Sequence, residues 1–177
     1  MTPITTINAF FQAIINKNAA KIGSFYVQDE QTYVVLEGPR LTTLGFEKIQ
    51  KGWFDFCDSR LTLDSIDWLE GPFSEAETAM AWVGGVIKLT VSIGNEKSFE
   101  QTFRASFVLK KAEKRENTEG VFDVGFGLSD VGSTTPPTSQ IPNLTSPWLI
   151  RHEHVSGALI DPYGIGDWLK VQAIESI

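Results

Sequence analysis

The chain has 177 residues, 42% of them hydrophobic and 21% charged, with a formal net charge of −7. This length predicts one domain with a sizeable core, and the acidic balance argues against a nucleic-acid partner, which needs a basic surface. A lone cysteine, Cys57, excludes an internal disulfide and a cysteine metal cage. No apolar run reaches the ~18 residues of a membrane span, and no signal-peptide pattern opens the sequence. We therefore expect a cytoplasmic protein without a membrane partner.

Two helices are predicted before residue 27. Thr2 is a suitable N-cap with Pro3 at the first helical position, and Asn18 can cap a second, shorter helix over AAKIGSFY. Apolar residues in the first segment recur three or four positions apart, as one face of a helix requires; they are Ile4, Ile7, Phe10, Phe11, Ile14 and Ile15.

A short strand and a third helix follow. The β-branched and apolar run from Thr32 to Leu36 predicts the strand, which ends before Gly38 and Pro39. Gly45 is an acceptable cap for the helix. The apolar positions of that helix again have helical spacing: Phe46, Ile49, Trp53 and Phe56.

From residue 60 the pattern changes to the alternation of strands. RLTLDSIDWLEG predicts one strand, closed by Gly71 and Pro72. Two longer strands follow over residues 77–94 and 97–111, and a last strand is predicted at residues 148–156.

The two longer strands should pair as a hairpin, because a Gly94-Asn95 turn joins them. Gly84-Gly85 inside the first arm predicts a bulge or bend. The last strand should run antiparallel to the second arm.

Residues 112–147 and 158–177 fall outside this regular pattern. The first stretch ends in a segment rich in Pro, Ser and Thr and predicts a long loop insertion, with VFDVGF as an edge strand inside it. The second predicts a C-terminal extension of the same domain. The order of elements predicts an α+β fold, in which N-terminal helices pack on one face of a strongly curved antiparallel sheet. Such a sheet forms a cone whose open end is a natural small-molecule pocket.

Both histidines of the chain, His152 and His154, lie two residues apart in the last predicted strand and therefore on one face of it. Arg104 and Ser106 share a face of the neighbouring strand. If these faces coincide inside the cone, the four side chains form a polar wall suited to a carboxylate, enolate or carbonyl oxygen. A structural role for the histidines stays open as a second interpretation, and a metal site is the third. No metal site is predicted, because the sequence offers no further ligands at suitable spacing.

Several segments together resemble a known family. FRASFVLKK followed by WLIRHEHVS is similar to the paired last strands of the SnoaL-like branch of the nuclear-transport-factor-2-like superfamily, with its motif W-x-I-x-H-x-H-x-S. That motif is also similar to one in the association domain of calcium/calmodulin-dependent protein kinase. LGFEKIQKGWFDF resembles the third helix of the family, and FYVQDEQTYVV the start of its first strand. The resemblance covers about residues 4–111 and 147–157; the insertion and the C-terminal extension depart from the family pattern.

The resemblance implies a cystatin-like cone whose cavity binds a small organic molecule and needs no cofactor. Members that catalyse often use an Asp or His as acid–base residue on a polyketide-like or steroid-like substrate. We therefore expect a small-molecule-binding protein and leave open whether it is an enzyme. If it is, the resemblance implies isomerase, cyclase or hydratase chemistry with His152 and Asp29 as candidate acid–base residues, although no carboxylate here matches a known catalytic acid of the family. The alternative is a non-catalytic assembly or ligand-carrier module, and a homodimer through the outer sheet face is expected. The expected ligand-binding residues are Tyr33, Trp53, Trp82, Arg104, Ser106, His152 and His154.

Overall fold

The computed structural model describes residues 1–36, 42–94, 96–112 and 147–157. This part of the chain contains three helices, none long and apolar enough to cross a membrane. The predicted edge strand at 121–126, nearly all of the predicted insertion and the predicted C-terminal extension lie outside the described residues. The described elements are α1 Pro3–Ile15, α2 Ala19–Gly23, β1 Tyr33–Leu36, β2 Thr43–Leu44, α3 Phe46–Asp58, β3 Leu61–Ala76, β4 Met80–Ile93, β5 Phe99–Lys111 and β6 Trp148–Gly157.

The helices begin where local chemistry predicts. The Thr2 hydroxyl accepts a hydrogen bond from the backbone N–H of Thr5 at 3.2 Å, and the Thr5 hydroxyl accepts one from the N–H of Thr2 at 2.8 Å. This reciprocal cap satisfies two donors that the first turn of α1 leaves free. Asn18 caps α2 through the N–H of Lys21 at 2.9 Å. Gly45 precedes α3 with a φ of +95°, a backbone conformation that favours glycine.

The six strands form one sheet in the order β2-β1-β6-β5-β4-β3. Neighbouring strands are antiparallel except β1 and β6, which are parallel. The predicted hairpin of β4 with β5 and the predicted antiparallel pairing of β5 with β6 are both confirmed. β6 is therefore a central strand, with β1 on one side and β5 on the other.

The prediction that β3 ends at Gly71 and Pro72 is wrong, because the strand continues to Ala76. Its pairing with β4 is irregular between Trp68 and Phe73, and this irregularity accommodates the proline in an edge strand. β4 itself pairs with β5 without interruption across Gly84-Gly85, so the predicted distortion lies in β3, opposite the glycines. A Cβ on Gly85 would lie 2.3 Å from the carbonyl oxygen of Glu70. Only glycine fits this approach of the two strands.

The helices cover one face of the sheet, here called the inner face, and the core lies between them. α1 contacts β3, β4 and β6. Phe10 of α1 is fully buried and meets the rings of Phe25, Tyr26, Trp53 and Phe107 edge-on, with centroids 5.6–6.1 Å apart. Such edge-to-face contacts add to the stabilisation from burial. The structure is an α+β fold with a curved, open sheet, as predicted.

Candidate functional site

A β-bulge at Arg151 decides which side chains of β6 enter the interior. Val108 of β5 pairs with His152 and its neighbour Leu109 pairs with Ile150, so Arg151 is an extra residue with no partner on β5. Ile150 is fully buried on the inner face. Because one extra residue reverses the alternation of a strand, the next inward side chain is that of Glu153 rather than of His152.

The prediction that His152 and His154 form the inner wall of the cone is therefore wrong. His154 pairs with Ser106, whereas Glu153 pairs with Phe107, which is fully buried in the core. Directly paired residues of antiparallel strands share a face. Both histidines thus lie on the outer face, and Glu153, which the regular alternation had placed outside, points inward.

Three further predicted ligand-binding residues also lie on the outer face. Arg104 pairs with Ser156, and both Arg104 and Ser106 are exposed. Trp82 pairs with Val108 and is 44% exposed. The four polar side chains do share one face, as the sequence suggested, but this face lies outside the cone.

Tyr33 and His152 form a contact between β1 and β6 on that outer face. Their rings stack with centroids 5.3 Å apart and an interplanar angle of 12°. His152 Nδ1 lies 3.1 Å from the carbonyl oxygen of Tyr33, and because a carbonyl only accepts, Nδ1 donates in this contact. The imidazole is thereby held at the sheet surface.

Asp29, the predicted acid–base carboxylate, lies in the segment between Tyr26 and β1 and forms an ion pair with Arg151. The hydrogen bond from Arg151 holds the pKa of Asp29 below its ordinary value. A carboxylate stabilised in this way is a weak base. Asp29 also borders a surface cavity of about 640 Å³ at the start of α3, together with Gln28, Glu30 and residues 44–48.

Trp53 does lie at the interior, in α3. Its indole Nε1 donates a hydrogen bond to the hydroxyl oxygen of Tyr26 at 3.1 Å. The Tyr26 hydroxyl in turn donates to Oε2 of Glu153. The three side chains form a relay from α3 to the central strand, in which each donor has one acceptor.

Glu153 is the charged residue of this relay and is 2% exposed. Burial raises its pKa to about 7, although the hydrogen bond from Tyr26 acts in the opposite direction. The pKa of Tyr26 is raised as well, first by burial and then by the charge and hydrogen bond of Glu153. The tyrosine therefore stays protonated, and Glu153 changes charge near neutral pH.

Within the described residues, the carboxyl group of Glu153 accepts a side-chain hydrogen bond from Tyr26 alone. Every fully buried side-chain nitrogen or oxygen of the described residues has a hydrogen-bond partner. The bond from Tyr26 engages Oε2, and no other described residue engages Oε1.

The inner face opens toward one end of β5 and β6. On β5, Leu109 and Phe107 are fully buried, whereas Phe103 is partly exposed. On β6, Ile150 is fully buried, whereas Val155, the inward residue after Glu153, is partly exposed. Glu153 therefore lies where the closed part of the core meets the apolar, open part.

Sequence reasoning missed Glu153, yet the sequence contained a signal. Ile150 and Val155 are both apolar and five positions apart, so a regular strand cannot place both on the core side. A bulge between them resolves the conflict and carries Glu153 inward with Val155. As for metals, the described residues bring together no group of three or more His, Cys, Asp or Glu side chains that could hold an ion.

Comparison with known proteins finds likeness in structure rather than in sequence. No protein-family model and no curated protein sequence matches the chain. A nuclear-transport-factor-2-like superfamily protein from Salmonella enterica serovar Typhimurium superposes with a TM-score of 0.60 at 17% identity, covering 92% of this chain and 91% of that one. A ketosteroid isomerase-like protein from Erwinia carotovora gives 0.59 at 10% identity, covering 88% and 93%.

A third similar structure, from Xanthomonas campestris, bears the name of a calcium/calmodulin-dependent protein kinase II association domain. Its TM-score is 0.55 at 15% identity, covering 87% of this chain and 84% of that one. Together these likenesses show that the chain has the nuclear-transport-factor-2-like α+β cone fold, as its sequence predicted. This fold hosts many unrelated roles, so function must be argued from the site.

Proposed function

We propose that the chain binds a small, mainly apolar organic molecule with a carbonyl group in the interior of its cone, and that Glu153 exchanges a proton with it. The observation that carries this proposal is a buried carboxyl group with a pKa of about 7 beside the open, apolar end of the inner face. Perturbed carboxyl groups of this kind are typical of acid–base sites.

The chemistry follows from the two forms of Glu153. As a carboxylate, Oε1 can take a proton from a carbon next to the carbonyl; as an acid, the group can donate to the carbonyl oxygen. Tyr26 holds Oε2 and supports the carboxylate form. This is isomerase-type or dehydratase-type chemistry without a cofactor, and structures of similar fold include proteins named ketosteroid isomerase-like and dehydratase.

A neutral naphthyl ketone whose emission depends on polarity tests the proposal. Its emission should shift to shorter wavelength on binding to the wild-type protein. In Glu153→Gln, Tyr26 should keep the site ordered. Deuterium incorporation at the carbon beside the carbonyl measures proton exchange, and its loss in this variant would isolate the acid–base role of Glu153. Native mass spectrometry of the freshly purified protein would report any retained organic molecule. A wild-type protein that neither shifts the emission nor carries an adduct contradicts the proposal.

The alternative is a non-catalytic homodimeric assembly or ligand-carrier module in the cytoplasm. It is favoured by the outer face, where Trp82 and Met80 of β4 and Phe73 of β3 are 44–58% exposed beside the polar residues of β5 and β6. A mixed apolar and charged face suits a twofold contact. Sedimentation of the wild type against Trp82→Lys tests the assembly role: the dimer should dissociate in the variant, and a wild-type monomer at micromolar concentration would exclude the homodimer.

A further inference from the structure

Arg151 joins the bulge of β6 to the segment before β1. As the extra residue of the bulge it lies between two contacts to that segment, the bridge of Ile150 with Tyr26 and the pairing of His152 with Tyr33. Its guanidinium group contacts both carboxylate oxygens of Asp29. The second terminal nitrogen, Nη2, donates to Gln31 Oε1 at 2.6 Å.

The segment that receives Arg151 is itself ordered. The Thr32 hydroxyl donates to the carbonyl oxygen of Val27 at 2.6 Å, and the backbone N–H of Gln31 donates to Asp29 Oδ1 at 2.9 Å. The backbone carbonyl of Asp29 accepts the first N–H of α3, from Phe46, at 3.0 Å. Arg151 therefore binds a carboxylate that is already fixed, which reduces the entropy lost in forming the pair.

An alternative register shows what the bulge achieves. Without an extra residue, β6 would alternate regularly, and the strand would present His152 and His154 inward and Glu153 outward. That register would put two imidazoles in the core and expose Val155. The two arrangements differ by one unpaired residue, and Arg151 is that residue.

We propose that Arg151 is a positioning residue: its ion pair with Asp29 stabilises the bulge of β6, and the bulge turns Glu153 into the interior of the cone. The role of Glu153 in catalysis rests on the proposed function, but its location does not. β-Bulges commonly redirect a side chain next to a site in this way.

Carbon-13 NMR tests this inference. The protein is labelled at the glutamate carboxyl carbon, and the titration of Glu153 is followed. The signal is assigned by its loss in Glu153→Gln, and its wild-type midpoint should lie at about pH 7. In Arg151→Val, which favours a regular strand, the midpoint should fall by at least about one pH unit as the carboxyl group gains access to water. Removal of a nearby cation would by itself raise the midpoint, so a fall reports relocation.

Two matched variants complete the test. Arg151→Lys, which keeps a cation for Asp29, should keep the midpoint close to the wild-type value. Lys51→Gln removes a cation from the exposed ion pair with Asp55 and should leave the midpoint unchanged. If Arg151→Val does not fold, the milder Arg151→Gln should show the same fall. A folded Arg151→Val or Arg151→Gln variant with an unchanged midpoint would overturn the inference.

The titration is read without ligand. If Glu153 moves in Arg151→Val or Arg151→Gln while the wild type neither binds the naphthyl ketone nor carries an organic adduct, the proposed function alone is contradicted. An unmoved Glu153 in a protein that binds the ketone contradicts the positioning role alone.

Discussion

Tyr26 and Glu153 are 127 positions apart in the chain, and the hydroxyl of the first donates a hydrogen bond to the carboxylate of the second. Tyr26 follows α2, and Glu153 lies on the central strand. Both are buried, and Trp53 of α3 completes the relay. A chain of hydrogen bonds from α3 to the sheet thus ends on a carboxyl group whose pKa is about 7.

The stability of the protein should depend on pH through Glu153. Its pKa rises from an ordinary 4.5 to about 7 on folding. The folded state therefore binds an extra proton between these values, and the stabilisation is complete below about pH 4.5 and is lost as the pH rises through about 7. The loss should approach about 3 kcal/mol. Urea unfolding across this interval measures it.

Glu153→Gln isolates this effect, because the amide keeps the shape of the side chain and an acceptor for Tyr26. The difference in unfolding free energy between variant and wild type should grow in favour of the variant as the pH rises. Asp29→Asn is the control. The lowered pKa of Asp29 gives a stabilisation that is present above its ordinary pKa of 3.8 and is lost only below it. This variant should therefore keep the wild-type change of stability between about pH 4.5 and 7. An equal pH slope in wild type and Glu153→Gln would refute the assignment.

Tyr26→Phe should raise the pKa of Glu153 further, because the lost hydrogen bond favours the carboxylate. It also leaves the indole N–H of Trp53 without its acceptor, so the unfolding free energy should fall by about 1–3 kcal/mol. Carbon-13 NMR and urea unfolding measure the two effects. Tyr33→Phe, which keeps the stack on His152 and the backbone carbonyl, should change the unfolding free energy by less than about 0.5 kcal/mol.

The outer-face histidines should not matter for the interior. His152→Ala removes the stack on Tyr33 and the bond from Nδ1, and should lower the unfolding free energy by about 1 kcal/mol. His154→Ala should change it less. In both variants the naphthyl ketone should bind with an affinity within about twofold of the wild type. Neither histidine is expected to contact the ligand, so the binding free energy should change by less than about 0.4 kcal/mol. A loss of ketone binding in either variant would show that the substituted histidine belongs to the ligand site.

Gly85→Ala should destabilise the sheet, since the new Cβ would lie 2.3 Å from the carbonyl oxygen of Glu70 and the backbone must move. A loss of about 1–3 kcal/mol in thermal or urea unfolding is expected. Gly52→Ala in α3 is the matched control, because nothing lies within 4 Å of its Cβ position. It should stabilise the helix by up to about 1 kcal/mol. Similar losses in both variants would contradict this steric account.

The sequence predicted the helices, their caps and the hairpin because these depend on local chemistry. Thr2, Asn18 and Gly45 act at the start of the helices they precede, and the alternation of β5 is regular throughout. The predicted end of β3 at Pro72 was wrong, because a proline can remain inside a strand that lies at the edge of the sheet.

The site was predicted less well, because the prediction took β6 to alternate regularly. A bulge moves every residue after it to the opposite face of the sheet. His152, His154 and Glu153 exchanged faces through the single residue Arg151. Tyr26 could not be connected with Glu153 from sequence, since their contact depends on the parallel placement of β6 beside the segment that precedes β1.

The position of β6 also governs when the protein can fold during synthesis. β1, near residue 33, and β5, which ends at Lys111, stay unjoined until residues 148–157 insert between them. A nascent chain that still lacks these residues exposes the edges of β1 and β5 that β6 pairs in the folded protein. Because such long-range closure is slow and its intermediates aggregate readily, we expect a chain that has not yet placed β6 to aggregate through these two strand edges.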